Sequence, residues 1–99
     1  MYAQRRDKNE ARIVEALRRV GAYVKQMDKS AGFDLLVCCH DKTYIVEVKD
    51  TDAKIITYRR LLTMLTKNEV ETMRAIEQTG VEYYIVTSET DALEILGMV

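Results

Sequence analysis

The stretch "GFDLLVCCHDKTYIVEVKD", residues 32–50, decides how this chain folds. It holds two apolar runs, 33–39 and 43–49, joined through His40, Asp41 and Lys42, which predicts a β-hairpin. Asp34, Glu47 and Lys49 interrupt those runs, and charged side chains are rarely buried unless paired or bound to a metal. Strand side chains alternate, so Glu47 and Lys49 point one way while Val46 and Val48 point the other. A two-residue turn at 41–42 sets His40 opposite Thr43, Leu36 opposite Glu47 and Asp34 opposite Lys49. All three charges then share one face, at the end of the hairpin away from its turn. A four-residue loop keeps that arrangement and a three-residue loop breaks it.

Working outward, residues 8–20 predict an amphipathic helix. Ile13, Val14, Leu17 and Val20 keep helical spacing, Gly21 stands at the C-terminal cap, and Asp7 is a good N-cap with Glu10 three residues on. A strand at 22–27 and a polar turn, "DKSAG", lead into the hairpin. Residues 50–65 show no clean period and fit a loop, a short helix or an arm lying on a second subunit. Thr66 and Glu69 then form a capping-box pattern ahead of the stripe Val70, Met73 and Ile76, with Gly80 as the stop. "VEYYIVTS" predicts a strand, and Ser88 with Asp91 opens a last short helix. The expected order is α-β-β-β-α-β-α in a single α/β domain, residues 1–99.

With 99 residues, 47% apolar and 31% charged, the chain has the composition of a folded soluble protein. No apolar run approaches the ~20 residues of a membrane span. "MYAQRRDKNE" carries no hydrophobic segment behind its charges, so a cytoplasmic protein with no membrane partner is expected. Cys38 and Cys39 are adjacent and strand-like, which suits reduced thiols. "CCH" with a single histidine in the chain falls short of a four-ligand zinc site. A net charge of −1 argues against coating nucleic acid by bulk charge. Local basic groups remain: Arg5, Arg6, Lys8, Arg12, Arg18 and Arg19, then Lys54, Arg59 and Arg60. Each suits a solvated face as well as a phosphate-binding one.

Glu10 precedes Ile13, Val14 and Leu17 by three, four and seven residues, which places it on the apolar face of its helix, aimed at the sheet. The capping box with Asp7 accounts for it equally well. Clustered carboxylates suit a hard cation such as Mg²⁺, which polarises a phosphoryl oxygen and acidifies bound water. A lysine on the same face can orient that water and offset charge on a phosphate. The alternative is a cross-strand ion pair between Asp34 and Lys49, with Glu47 exposed.

"GFD" (32–34) followed by "IVEVKD" (45–50), behind "KNEARIVEALRRVGA", resembles the PD-(D/E)xK nucleases. The branch it is most similar to is the small stand-alone VRR-NUC proteins, found in phages and related to archaeal-type Holliday junction resolvases. "LTKNEVETMRAIEQTGVEYYIVTSETDALEIL" extends the resemblance over nearly the whole chain. It implies a restriction-endonuclease-like core, a mixed sheet flanked by helices, and a metal-dependent DNA endonuclease acting as a homodimer on branched DNA. Asp34 and Glu47 would be metal ligands with the Val48 carbonyl, Lys49 the catalytic lysine, and Glu10 the first helix's acid. Mg²⁺ would be the cofactor, with Mn²⁺ able to substitute, and no organic cofactor is implied. Phosphate contacts would come from Arg5, Arg6, Lys8, Arg12, Lys29, Arg59 and Arg60. The chain departs from the family pattern at Phe33, where a proline is usual, and at Glu69, where relatives often carry glutamine. Ile55, Ile56, Leu61 and Leu62 suit either a dimer interface or the chain's own core. Two other activities fit the same motif: a repair or restriction-type nuclease on flaps or duplex, and an inactive DNA-binding module.

Overall fold

Helix α1 (Glu10–Arg19) of the computed structural model, which describes residues 9–98, buries Ile13, Val14, Ala16 and Leu17 along one side. Asp7 and Lys8 lie outside the described residues, and Asn9 occupies the N-cap without a capping side-chain bond. The helix ends as the glycine predicts. Gly21 sits at φ 96°, its N–H donates to Arg18 and the Ala22 N–H to Leu17, the paired bonds of a Schellman stop.

Strand β1 (Tyr23–Gln26), a 3₁₀ turn at Lys29–Ala31, and strands β2 (Leu35–Cys39) and β3 (Lys42–Val48) follow. The hairpin turn is His40–Asp41, one residue earlier than the sequence suggests, with φ of 52° and 68°. Cys39 therefore faces Lys42, Leu36 faces Ile45 and Leu35 faces Val46, so the expected Leu36–Glu47 and Asp34–Lys49 pairs do not form. The shift amounts to two residues across the pair, which preserves alternation, and the three charges keep a common face. Cys38 and Cys39 are free thiols on opposite faces, with His40 exposed in the turn, so "CCH" does not converge.

The opaque segment supplies one more helix than expected, α2 (Tyr58–Thr63), before α3 (Lys67–Glu77), β4 (Tyr83–Val86) and α4 (Glu89–Ile95). The sheet order is β1-β2-β3-β4. Its first three strands are antiparallel, and β4 runs parallel to β3. A parallel neighbour requires a crossover, which α2 and α3 provide. The fold is thus α/β with a mixed sheet. One face, with Val24, Leu35, Val37, Val46, Val48 and Val86, packs on α1 and on Ala92 of α4. Full burial of such a side chain contributes about 1.5–3 kcal/mol. Alternation sends Leu36, Ile45, Glu47, Lys49 and Tyr83 to the other face, which α3 approaches. Among the described residues no helix is long and apolar enough to cross a membrane.

Candidate active site

Asp34 stands just before β2, and its backbone is held on both sides. Its N–H donates to the Val46 carbonyl at 3.1 Å and its carbonyl accepts from the Met27 N–H at 2.8 Å. Its carboxylate Oδ2 accepts the Val48 N–H at 2.8 Å. Val48 buries its side chain in the opposite face, so its backbone is what it presents here. Burial raises the Asp34 carboxyl, the Val48 amide pulls it down, Glu10 pushes it up, and the net shift is upward.

Glu47 is 1% exposed. Its Oε2 lies 3.1 Å from Lys49 Nζ, whereas Oε1 is buried and has no hydrogen-bond partner. Burial first, then the Asp34 charge and Glu69, push this carboxyl up to about 9. Lys49 Nζ also donates to Glu69 Oε1 at 2.9 Å. Burial disfavours the ammonium, but Glu69 and Glu47 together outweigh it and hold Lys49 above its usual value. The same Glu69 oxygen accepts the Thr66 N–H at 2.9 Å, completing the capping box of α3. Burial opposes ionisation of Glu69, yet the Thr66 amide and Lys49 together bring it below the usual carboxylate range. The predicted cap is real, and its glutamate has a second use as the partner of Lys49.

Glu10 is 2% exposed and accepts a hydrogen bond from Gln26 Nε2 at 2.9 Å. It points into the molecule, and its charge reaches Asp34. Among the described residues, the acid side of the site is therefore Asp34, Glu47, Glu69 and Glu10, and the ammonium of Lys49 lies against Glu47 and Glu69. Among the described residues no three acidic, imidazole or thiol side chains already form a closed metal cage. Glu47 Oε2 and Glu69 Oε1 are engaged with Lys49, Asp34 Oδ2 with the Val48 amide and Glu10 with Gln26. The donor set is nonetheless all oxygen, and Glu47 Oε1 is a buried polar atom without a hydrogen-bond partner, on a carboxyl that feels the Asp34 charge. Those features fit a hard divalent cation.

Three neighbours escaped the sequence reading. Gln26, two residues from the buried Val24, is exposed at the end of β1 but lies on the same side of the strand, and that spacing was the available signal. Asn9 Nδ2 donates to the carbonyls of Lys49 (3.0 Å) and Thr87 (2.8 Å), tying the start of α1 to the ends of β3 and β4. Tyr83, 1% exposed, donates its hydroxyl to the Gly32 carbonyl at 2.6 Å. Burial and then the Glu47, Glu69 and Asp34 charges raise its phenol, which keeps it a donor. Both contacts join residues far apart in the chain, and no local pattern announces them.

Of the basic residues, Arg12, Lys29, Arg59 and Arg60 are exposed. Arg12 shares a cleft with Asn9 and Thr87, which places it beside the Lys49 end of the site. Arg18 donates to the Val24 carbonyl and Arg19 pairs with Glu15 on the helix surface. Arg5, Arg6 and Lys8 lie outside the described residues. Leu61 is buried in the chain's own fold, while Ile55 is 89% exposed. No family model, curated protein or solved structure matches this chain.

Proposed function

We propose that this protein is a divalent-metal-dependent DNA endonuclease of PD-(D/E)xK type, similar to the VRR-NUC proteins, cutting branched DNA as a homodimer. The observation that carries the reading is the buried, unpartnered Glu47 Oε1 beside Asp34, with Lys49 on the same face. The charge of Asp34 works against that of the buried Glu47, and a bound cation would offset this repulsion. Mg²⁺, or Mn²⁺ in its place, would be held by Asp34, Glu47 and the Val48 carbonyl with Glu10 nearby. Bound there, it would supply Lewis-acid polarisation of a phosphoryl oxygen and a more acidic water.

The chain's own residues divide the remaining work. Lys49, two residues beyond Glu47, orients the attacking water and offsets charge on the phosphate. Glu69 holds the lysine from α3, and Asn9 anchors its backbone carbonyl. Arg12, Lys29, Arg59 and Arg60 are exposed to meet the DNA backbone, which positions without reading sequence. A homodimer would bring two sites to two strands, with Ile55 and Tyr58 the exposed apolar residues nearest the crossover.

The test is cleavage of four-way junction, flap and linear duplex DNA with Mg²⁺ or EDTA, beside Lys49→Ala. The expected result is metal-dependent cutting that falls at least ~100-fold in the variant. Symmetric nicks confined to the junction select a resolvase, and cutting of flap or duplex selects a repair-type enzyme. No metal-dependent cutting of any substrate rejects the enzyme reading; cutting that survives in Lys49→Ala rejects the site assignment.

A further inference from the structure

The turn that carries Asp34 is clamped from two sides. Gly32 adopts a left-handed φ of 80°, and a Cβ at that position would lie 2.0 Å from Thr72 Oγ1 on α3. From the β4 side, the buried Tyr83 hydroxyl donates to the Gly32 carbonyl at 2.6 Å. Two residues later comes Asp34, whose carboxylate takes the Val48 N–H. A buried carbonyl deprived of its donor is left unsatisfied, and a turn can relieve that by moving toward water. Such a movement starts two residues from a carboxylate that must sit close to Glu47.

We propose that Tyr83 is a positioning residue of the cation site: by holding the Gly32 carbonyl it fixes the turn that delivers Asp34, and so sets how tightly the site takes a divalent cation rather than how fast the phosphodiester is cut. The cation part rests on the nuclease reading above; the placement of Asp34 rests on the hydrogen bonds alone.

Tyr83→Phe keeps the ring and removes the hydroxyl. In EDTA, amide exchange followed by NMR reads the Val48 N–H, whose acceptor is the Asp34 carboxylate. The expected result is faster exchange at Val48 with unchanged exchange for β2–β3 amides near the hairpin turn. Calorimetric titration with Mn²⁺ is expected to show affinity reduced about 10-fold or more, as for other residues that orient a ligand. Cleavage at saturating Mn²⁺ should then fall by no more than about threefold, the signature of lost binding rather than lost chemistry. Asn68→Ala loosens the same turn from an exposed position, because Asn68 Nδ2 donates to the Lys29 and Ser30 carbonyls at 3.4 Å. It should move both readouts the same way by less, and it serves if Tyr83→Phe does not fold. Unchanged Val48 exchange in the folded variant overturns the proposal whatever the Mn²⁺ affinity, because Tyr83 then acts on the site by another route; unchanged Mn²⁺ affinity overturns it, as does a loss confined to the rate at saturating metal. A wild-type protein that binds no Mn²⁺ removes the nuclease reading, while Val48 exchange still decides whether Tyr83 places Asp34.

Discussion

Glu47 is a buried carboxyl held up to about 9, against 4.5 for an ordinary glutamate. Between those values the folded chain carries a proton on Glu47 that the unfolded chain does not. Its contribution to stability is therefore complete below pH 4.5 and is lost as pH rises toward 9. Metal-free protein should melt at progressively lower temperature across that window. Glu47→Gln cannot ionise and should flatten the slope, so in EDTA the variant is the more stable protein at pH 8.5 and gains little at pH 5. Added Mn²⁺ should reverse the ranking, because a cation displaces the proton and favours the charged side chain. Melting curves across pH, with and without metal, check this; parallel curves for the two proteins count against it. Glu69 divides in a complementary way. Glutamine also completes a capping box, so Glu69→Gln should leave stability within about 0.5 kcal/mol, whereas Glu69→Ala should cost about 1 kcal/mol through the lost cap. Both variants should slow cleavage, since both remove the charge that holds Lys49. A Glu69→Gln enzyme with full activity would reduce Glu69 to a cap.

The hairpin turn shows how far local chemistry specifies an element. His40 and Asp41 both adopt positive φ, a conformation that two-residue hairpins usually assign to Asn-Gly. Replacing them with Asn and Gly should stabilise the fold by about 1 kcal/mol, read by urea denaturation. Cleavage should be unchanged, because the turn lies at the far end of the hairpin from Asp34; destabilisation would mean that the His40 or Asp41 side chain has a role of its own. The missing Asn-Gly also explains why sequence placed the turn one residue late. "HDK" offers no glycine to mark the left-handed positions, and only the strand register resolves them. Helix α3 was legible for the opposite reason: Thr66 and Glu69 announce its start within four residues. Helix α2 was not, because six residues with a single buried side chain, Leu61, cannot display a period.

Across the whole molecule, the shared face of Asp34, Glu47 and Lys49 was legible because it depends only on parity, which a two-residue shift leaves intact. Tyr83 on Gly32, Gln26 on Glu10 and Asn9 on Lys49 were not, because each bond joins segments that meet only once the sheet has formed. The same scale governs assembly. Ile55 is 89% exposed and Tyr58 is 53% exposed, both in the crossover between β3 and β4, while Leu61 nearby is buried. Leu61 thus fastens the crossover to its own chain and leaves Ile55 and Tyr58 facing outward. Single exposed apolar side chains are ordinary on a monomer, but this pair shares a cleft with Ile56 and Ile85, and Ile55 also borders a second with Ile56 and Met64. If that surface joins two copies, Ile55→Lys places an unpaired ammonium in the interface and should weaken the dimer at least tenfold, a difference of 1.4 kcal/mol or more. Sedimentation over a range of concentrations measures it. Mn²⁺ binding per chain should be unchanged, because the substitution lies outside the ligand set. Junction cleavage should pass from paired cuts to isolated nicks, since one protomer carries one site. A wild-type protein that sediments as a monomer at every concentration rejects the dimer, and a dimer indifferent to Ile55→Lys moves the interface elsewhere on the molecule.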